Sequence, residues 1–240
     1  MKRAFAILGV LLAIAIAPPV RAQSATALAG MRAYNAGDIA TAYRLLRAAA
    51  DAGDSEGQVN LGYMYARGQG VAADQQEAFR LYQLSADQGD SEGMNALGYK
   101  FLHGTGVAAD PVRAVHWFCM AVSNGNPRGM NNLAIMLQNG NYVQRDEAEA
   151  RSLWKQAADL GHASAMMNLG LSYLTGSGRD PATAQQWIVR AAQKGQPRAL
   201  ALLQANGYSG PLPAPFDEAA LMIPAVKNAS GRAKICGLVA

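Results

Sequence analysis

Residues 55–89 read SEGQVNLGYMYARGQGVAADQQEAFRLYQLSADQG, and residues 91–125 repeat the pattern as SEGMNALGYKFLHGTGVAADPVRAVHWFCMAVSNG. Each stretch closes on a glycine, and this series of period glycines continues at the same phase through most of the chain. Its members are Gly53, Gly89, Gly125, Gly161 and Gly195. Their intervals are 36, 36, 36 and 34 residues, and a second glycine follows each of them fifteen positions later. A fixed period in this range predicts an array of stacked supersecondary units.

Each unit contains the patterns of two helices, which we call A and B in chain order. Helix B precedes the period glycine and carries apolar or small residues at spacings that form one helical stripe. In the third unit this stripe consists of Ala150, Leu153, Trp154, Ala157 and Ala158. The Asp110–Pro111 pair, and the spacing of Asp74 and Glu77, mark helix starts. We expect the period glycine to end helix B in a left-handed conformation.

Helix A follows the period glycine, as in residues 55–68 and 91–104, and contains glycines such as Gly57 and Gly93. An internal glycine costs a helix about 1 kcal/mol relative to alanine. We expect close helix packing to offset this cost, because a missing side chain lets the neighbouring helix approach. A GxGV sequence predicts the turn from A to B in the first two units. The fourth unit keeps the two glycines, Gly176 and Gly178, but reaches helix B two residues sooner, and the third has NGNYV at 139–143 without the second glycine.

The segments LGYMYARGQGVAAD at 61–74, LGYKFLHGTGVAAD at 97–110 and LGLSYLTGSGRD at 169–180 resemble the Sel1-like repeat family. These repeats are relatives of tetratricopeptide repeats with a longer loop between A and B. The resemblance covers about residues 25–208. It implies an all-α protein, a right-handed α-solenoid of antiparallel helix hairpins with a short irregular tail.

The resemblance also divides the chain. Residues 23–53 are similar to a tetratricopeptide capping hairpin with a short loop. The Sel1-like region 54–210 then comprises repeats at 54–89, 90–125, 126–161 and 162–195 and a final helix at 196–208. The tail at 211–240 is expected to cover the open end of the array, because terminal units otherwise expose a core face. The alternative is a disordered or partner-binding tail.

The first 22 residues have a basic start, an apolar run and small residues before Gln23, which is the layout of a secretory signal peptide. We therefore expect a periplasmic protein, with an uncleaved anchor or secretion beyond the envelope as alternatives. Without this leader, 18 Lys and Arg face 17 Asp and Glu. The balance predicts neither nucleic-acid binding nor attraction to an anionic membrane, and the apolar run is short for a membrane span.

The two cysteines are Cys119 and Cys236. An exported protein can keep a disulfide, so the sequence allows them to pair. The alternative is that Cys119 is a small apolar residue beside a helix face and Cys236 is a free thiol in the tail.

The sequence contains few groups that could do chemistry. Its histidines, His103, His116 and His162, form neither a metal-ligand pattern nor a nucleophile–base pattern, and we expect ordinary surface residues. Ser152 and Lys155 have the S-x-x-K spacing of penicillin-recognising enzymes, but they lie inside helix B without a K-T-G segment. We expect no catalytic residue, cofactor or metal. The alternative is a hydrolase acting on β-lactams or cell-wall peptides.

The resemblance to the tetratricopeptide groove implies an inner wall of A helices that binds an extended peptide or a partner helix. The implied lining residues are Tyr63, Arg67, Asn95, Tyr99, His103, Asn131 and Gln138. The alternative for the two tyrosines is packing between helices. Three further asparagines, Asn60, Asn132 and Asn168, are expected to brace the contact between helices A and B.

The expected function is that of a non-catalytic protein-interaction scaffold, adaptor or regulator of the cell envelope. A secreted protein that binds a host protein is a further alternative.

Overall fold

The computed structural model describes residues 24–175, 178–206 and 236, and in these residues it contains eleven α-helices and no strand. Helices with odd numbers are the A helices: α1 Ala25–Asn35, α3 Ser55–Arg67, α5 Ser91–His103, α7 Pro127–Asn139, α9 Ala163–Thr175 and α11 Pro197–Ala205. Helices with even numbers are the B helices: α2 Ile39–Asp51, α4 Gln75–Asp87, α6 Pro111–Ser123, α8 Glu147–Asp159 and α10 Pro181–Gln193. The predicted all-α solenoid is confirmed.

The A helices lie on the inside of the array. Every helix packs against the next one in the chain, and successive A helices also contact each other from α1 to α9. In the described part of the chain, successive B helices do not come equally close. An array whose A helices are crowded together and whose B helices are spread apart curves towards the A side. The inner face of the A helices is therefore the concave surface.

The predicted stripe of helix B forms the core. The five stripe residues of α8 are all buried, and Leu153 is completely inaccessible to solvent. Replacing such a fully buried leucine by alanine typically costs about 2–5 kcal/mol, because lost apolar transfer and a residual cavity both contribute.

Glycines inside the A helices allow two different close contacts. A Cβ atom on Gly57 would lie 2.6 Å from the Cβ of Ala49 in α2, the B helix of the preceding unit. A Cβ atom on Gly62 would lie 2.6 Å from the ring of Tyr82 in α4, the B helix of the same unit. The first glycine therefore packs successive units together, and the second closes the hairpin.

The GxGV loop also packs against the preceding unit. Gly106 has a φ of +81°, and a Cβ atom there would lie 2.0 Å from the carbonyl oxygen of Gln75 at the start of α4. Only glycine fits so close to backbone. The third unit has Tyr142 at the equivalent position, with a φ of +63°, so its loop keeps the left-handed turn with a non-glycine residue.

The A helices begin at capping residues that directly follow the period glycines. Asp54, Asp90 and Asn126 each accept a hydrogen bond from the backbone N–H three residues later. In α9 the same role falls to His162, whose Nδ1 accepts from the backbone N–H of Ala165 at 3.1 Å. His162 is therefore not the ordinary surface residue that we predicted.

A disulfide joins Cys119 in α6 to Cys236, which realises one of the two alternatives that the sequence allows. Cys119 is buried, and Cys236 packs against the same apolar cluster. The leader and almost all of the tail lie outside the described residues, and so do the predictions about them. Within the described part of the chain, the helices lack the length and apolar character needed to cross a bilayer.

Candidate functional site

One stripe of each A helix faces the concave surface. It consists of the third, seventh, tenth and fourteenth residues after the period glycine, a spacing that keeps side chains on one helical face. In α3 these residues are Glu56, Asn60, Tyr63 and Arg67, and all four line the same cavity. We call this face the inner stripe.

The cavity lies between α1, α3 and α5 and has a volume of about 520 Å³. Apolar side chains, including Met31, Leu46 and Met64, form part of its wall. A volume of this size is in the range of sites that hold small molecules or parts of larger ligands.

The polar part of the cavity wall carries more negative than positive charge. Four carboxylates line it, with two arginines beside them: Asp54, Glu56, Asp90, Glu92, Arg67 and Arg128. Burial raises the pKa of Glu56, and the neighbouring charges of Asp54 and Asp90 raise it further. The Arg128 Nη1 atom reaches from α7 to within 3.6 Å of a Glu92 carboxylate oxygen and 3.4 Å of the Tyr63 hydroxyl.

Tyr63 both packs between helices and lines the cavity. Its ring meets the ring of Tyr82 edge-on, with 5.4 Å between centroids. Burial raises the pKa of Tyr63, and the negative charge of Glu92 adds to this shift. The hydroxyl therefore stays protonated at neutral pH and is available as a hydrogen-bond donor.

Tyr99 continues the inner stripe on α5, and 52% of its surface is exposed. Its ring packs against the ring of His103 at a tilt of 45°, with 4.2 Å between centroids. Ile135, at the same position of the next unit, is 38% exposed. Large apolar side chains on successive A helices thus form a partly uncovered row on the concave surface.

The predicted lining residues Asn95 and Asn131 are instead buried between A helices. They are only 6% and 7% exposed, and each accepts a hydrogen bond of 2.9 Å from an asparagine of the next unit, Asn132 and Asn168 respectively. Asn132 and Asn168 therefore brace the contact between successive A helices, and not the contact between helices A and B that we predict from the sequence. Asn60 bonds within its own helix, to the carbonyl oxygen of Glu56.

Gln138 also lies off the inner stripe. It occupies the position that Leu102 and Leu174 hold in other units, where both leucines pack against the apolar core. Its side-chain oxygen is buried. Of the predicted lining residues, the structure therefore places Tyr63 and Arg67 in the cavity wall and brings Tyr99 into contact with His103 on the next A helix. Gln138 is not part of this surface.

Three charged residues of the site were missed in the sequence: Glu56, Glu92 and Arg128. Each stands three residues after a period glycine, and Tyr63 or its equivalent follows seven residues later. Seven residues are close to two helical turns, so this spacing is the signal that could have identified them.

The S-x-x-K pair does not form a nucleophile and base. The Ser152 hydroxyl is exposed and faces the amide of Gln156, whereas the Lys155 ammonium pairs with Asp159 at 2.8 Å. An activated nucleophile needs its base within hydrogen-bond reach. Among the residues that the structure describes, no group of three or more His, Cys, Asp or Glu could hold a metal ion.

A family model described as Sel1 repeat matches residues 22–54, 55–90, 91–126, 127–162 and 163–196. The first match covers the hairpin that we compared with a tetratricopeptide repeat. A solved Sel1 repeat protein from Oxalobacter formigenes is 32% identical, with a TM-score of 0.66, and the match covers 75% of this chain and 74% of that one.

The immunity proteins Pa5087 and PA5088 from Pseudomonas aeruginosa are each 21% identical, with TM-scores of 0.59 and 0.60. These matches cover 75% and 77% of this chain and 70% and 71% of the other two. At this identity the likeness concerns the fold alone. No curated protein matches the chain at a significant level.

Proposed function

Because the chain belongs to the Sel1 repeat family, we propose that it is a non-catalytic scaffold or adaptor that holds a segment of a partner protein against its inner stripe. Sel1 repeat proteins generally mediate protein–protein interactions. The partner segment would lie across successive A helices, since these helices present side chains of the same phase to one concave surface.

The observation that carries this proposal is the exposure of Tyr99. Just over half of the surface of this residue is open to solvent, at the position of α5 that corresponds to Tyr63 in the wall of the 520 Å³ cavity. Aromatic side chains of this kind are enriched at the centres of protein interfaces, because they bury a large area at a small cost in conformational entropy.

Site-specific photocrosslinking tests the proposal. A photoreactive phenylalanine analogue replaces Tyr99 in the full chain, and a control chain carries it at Met120, which is 38% exposed on α6. We expect irradiation of the producing cells to trap a discrete partner through position 99 but not through position 120. Equal trapping at both positions, or trapping at position 120 alone, would contradict binding at the inner stripe.

We also propose that the protein acts in the cell envelope after export to the periplasm. The layout of residues 1–22 supports this location. Fractionation of producing cells should recover the protein with the periplasm, and its mature N-terminus should begin at Gln23. Recovery of the chain from the culture medium or the cytoplasm would refute this location without affecting the proposed binding surface.

A further inference from the structure

We propose that the partner segment carries a lysine or arginine whose cationic group enters the cavity between α1, α3 and α5, followed by apolar side chains that cover Tyr99 and Ile135. This inference rests on the proposed function and specifies the chemistry of the partner. It combines three features of the inner face: the charge of the cavity, the position of Arg128 and the apolar row beyond it.

The charge of the cavity favours a cation. Four carboxylates and two arginines line it, so its walls carry an excess of negative charge. Asp54 and Asp90 use one carboxylate oxygen each to cap a helix, whereas Glu56 and Glu92 come from the inner stripe itself. A cationic side chain placed among these groups would reduce their mutual repulsion and gain attraction from each.

Arg128 shows that a guanidinium can occupy the edge of this cavity. It extends from α7 towards Glu92 and Tyr63, but its contacts of 3.6 and 3.4 Å are longer than a direct charge-assisted hydrogen bond. Its side chain is 54% exposed. Such a loosely held side chain can swing aside, so a basic residue of the partner can take its place and approach Glu92 more closely.

The apolar row sets the rest of the pattern. Tyr99 and Ile135 lie at equivalent positions of α5 and α7, and both are exposed. Packed helices are about 8–10 Å apart, and an extended chain rises about 3.3 Å per residue. One unit of the array therefore corresponds to about three residues of an extended partner. A basic residue followed by apolar residues at about this spacing fits the surface.

A positional-scanning peptide library provides the probe. It consists of ten-residue peptides with blocked termini, in which one position at a time is fixed, and it is passed over the immobilised full chain at low salt. We expect mixtures with fixed Lys or Arg to be retained about fivefold more than mixtures with fixed Glu, because two partly exposed ion pairs supply a factor of this size. The preference should shrink at high salt.

Two double variants locate the preference. In Glu56→Gln/Glu92→Gln, cationic and acidic mixtures should be retained equally, while mixtures with fixed Leu or Phe stay bound. The matched control is Glu147→Gln/Glu149→Gln, which makes the same charge change on the outer helix α8 and should behave like the parent. Tyr99→Ser/Ile135→Ser, on exposed positions, should reduce the retention of the apolar mixtures and keep the preference for cations.

Failure of this inference can be told apart from failure of the proposed function. The inference is overturned if the chain retains peptides without a preference for cations, or if the preference survives in Glu56→Gln/Glu92→Gln. In both cases the inner stripe remains a peptide-binding surface. Preferential retention of acidic mixtures overturns it in the same way. If the folded parent chain retains no mixture at all, peptide capture by the inner stripe fails together with the inference.

Discussion

The cap of α9 should make the stability of the array depend on pH near neutrality. His162 accepts a hydrogen bond from the Ala165 N–H through Nδ1, which requires a neutral ring with its proton on Nε2. Protonation turns Nδ1 into a donor that faces another donor. It also places a positive charge at a helix N-terminus, where the dipole is unfavourable, and close to Arg128. The capping bond is therefore lost when the ring becomes charged.

The size and sign of the effect follow from this geometry. An N-cap contributes about 1 kcal/mol, and a positive charge at the helix start costs about 0.5 kcal/mol more, so the total is about 1.5 kcal/mol. Burial, and then the charge of Arg128, lower the pKa of His162 from its ordinary value of 6.5. As the pH falls, His162 therefore becomes protonated in the unfolded chain before it does so in the folded chain. The contribution of the cap to the free energy of unfolding is fully present above about pH 6.5 and is lost as the pH falls through the lower pKa of the folded state.

The His162→Asn variant isolates this contribution, because Asn126 performs the same capping role in α7. In thermal unfolding followed by circular dichroism, the variant should match the parent at about pH 7.5. At about pH 5.5, where about 1 kcal/mol of this contribution is lost, it should melt about 2–4 °C higher, because about 1 kcal/mol corresponds to a shift of that size in an array of this length. Hydrogen exchange of the Ala165 amide gives a local readout. His116→Asn, on the exposed face of α6, should leave the acid sensitivity unchanged. If His162→Asn left it unchanged as well, the capping argument would be refuted.

Three further predictions use urea titrations of single variants. Gly106→Ala should lower the free energy of unfolding by more than about 2 kcal/mol, because its methyl group would meet the Gln75 carbonyl oxygen at 2.0 Å. Gly89→Ala, whose methyl group would enter open space, should lower it by about 1 kcal/mol, and equal losses in the two variants would contradict the close approach at Gly106. Tyr142→Gly should raise the free energy of unfolding by about 1 kcal/mol, because glycine adopts the left-handed backbone at this position without strain. A lower free energy of unfolding would contradict this and would show that the tyrosine ring makes a stabilising contact. Burial lowers the pKa of Lys100 from its ordinary value of 10.5, so the folded chain releases this proton first and stability should rise with pH below 10.5. Lys100→Met should remove that rise. If the free energy of unfolding depended on pH with the same slope in the variant and the parent, the assignment of the rise to Lys100 would be refuted.

Much of the fold could be predicted because one local rule is repeated. The period glycines mark the ends of the B helices, and all five have the positive φ that only glycine adopts without strain. The small residues inside the A helices indicate close packing, although the sequence does not say which neighbour approaches. Gly57 and Gly62 lie five residues apart and contact different helices, a distinction that depends on how units stack.

The binding surface was harder to predict, because the curvature of the array decides which helical face is open. Asn95 lies one residue before the inner stripe, and a rotation of about 100° per residue is enough to turn it into the contact between A helices. Amide side chains suit either setting, so residue type did not help. The disulfide was likewise undecided, since Cys119 and Cys236 are 117 residues apart and only the folded chain shows that they meet.

The bond between Cys119 and Cys236 also determines how the molecule would carry a mechanical load. A pull applied between the N-terminus and the last residues would pass from α6 directly through the sulfur atoms, bypassing the segment from α7 to α11. Those helices would remain slack inside a closed covalent loop while α1 to α6 bore the tension. Stretching experiments on single molecules should therefore show a shorter extension under oxidising conditions than after reduction.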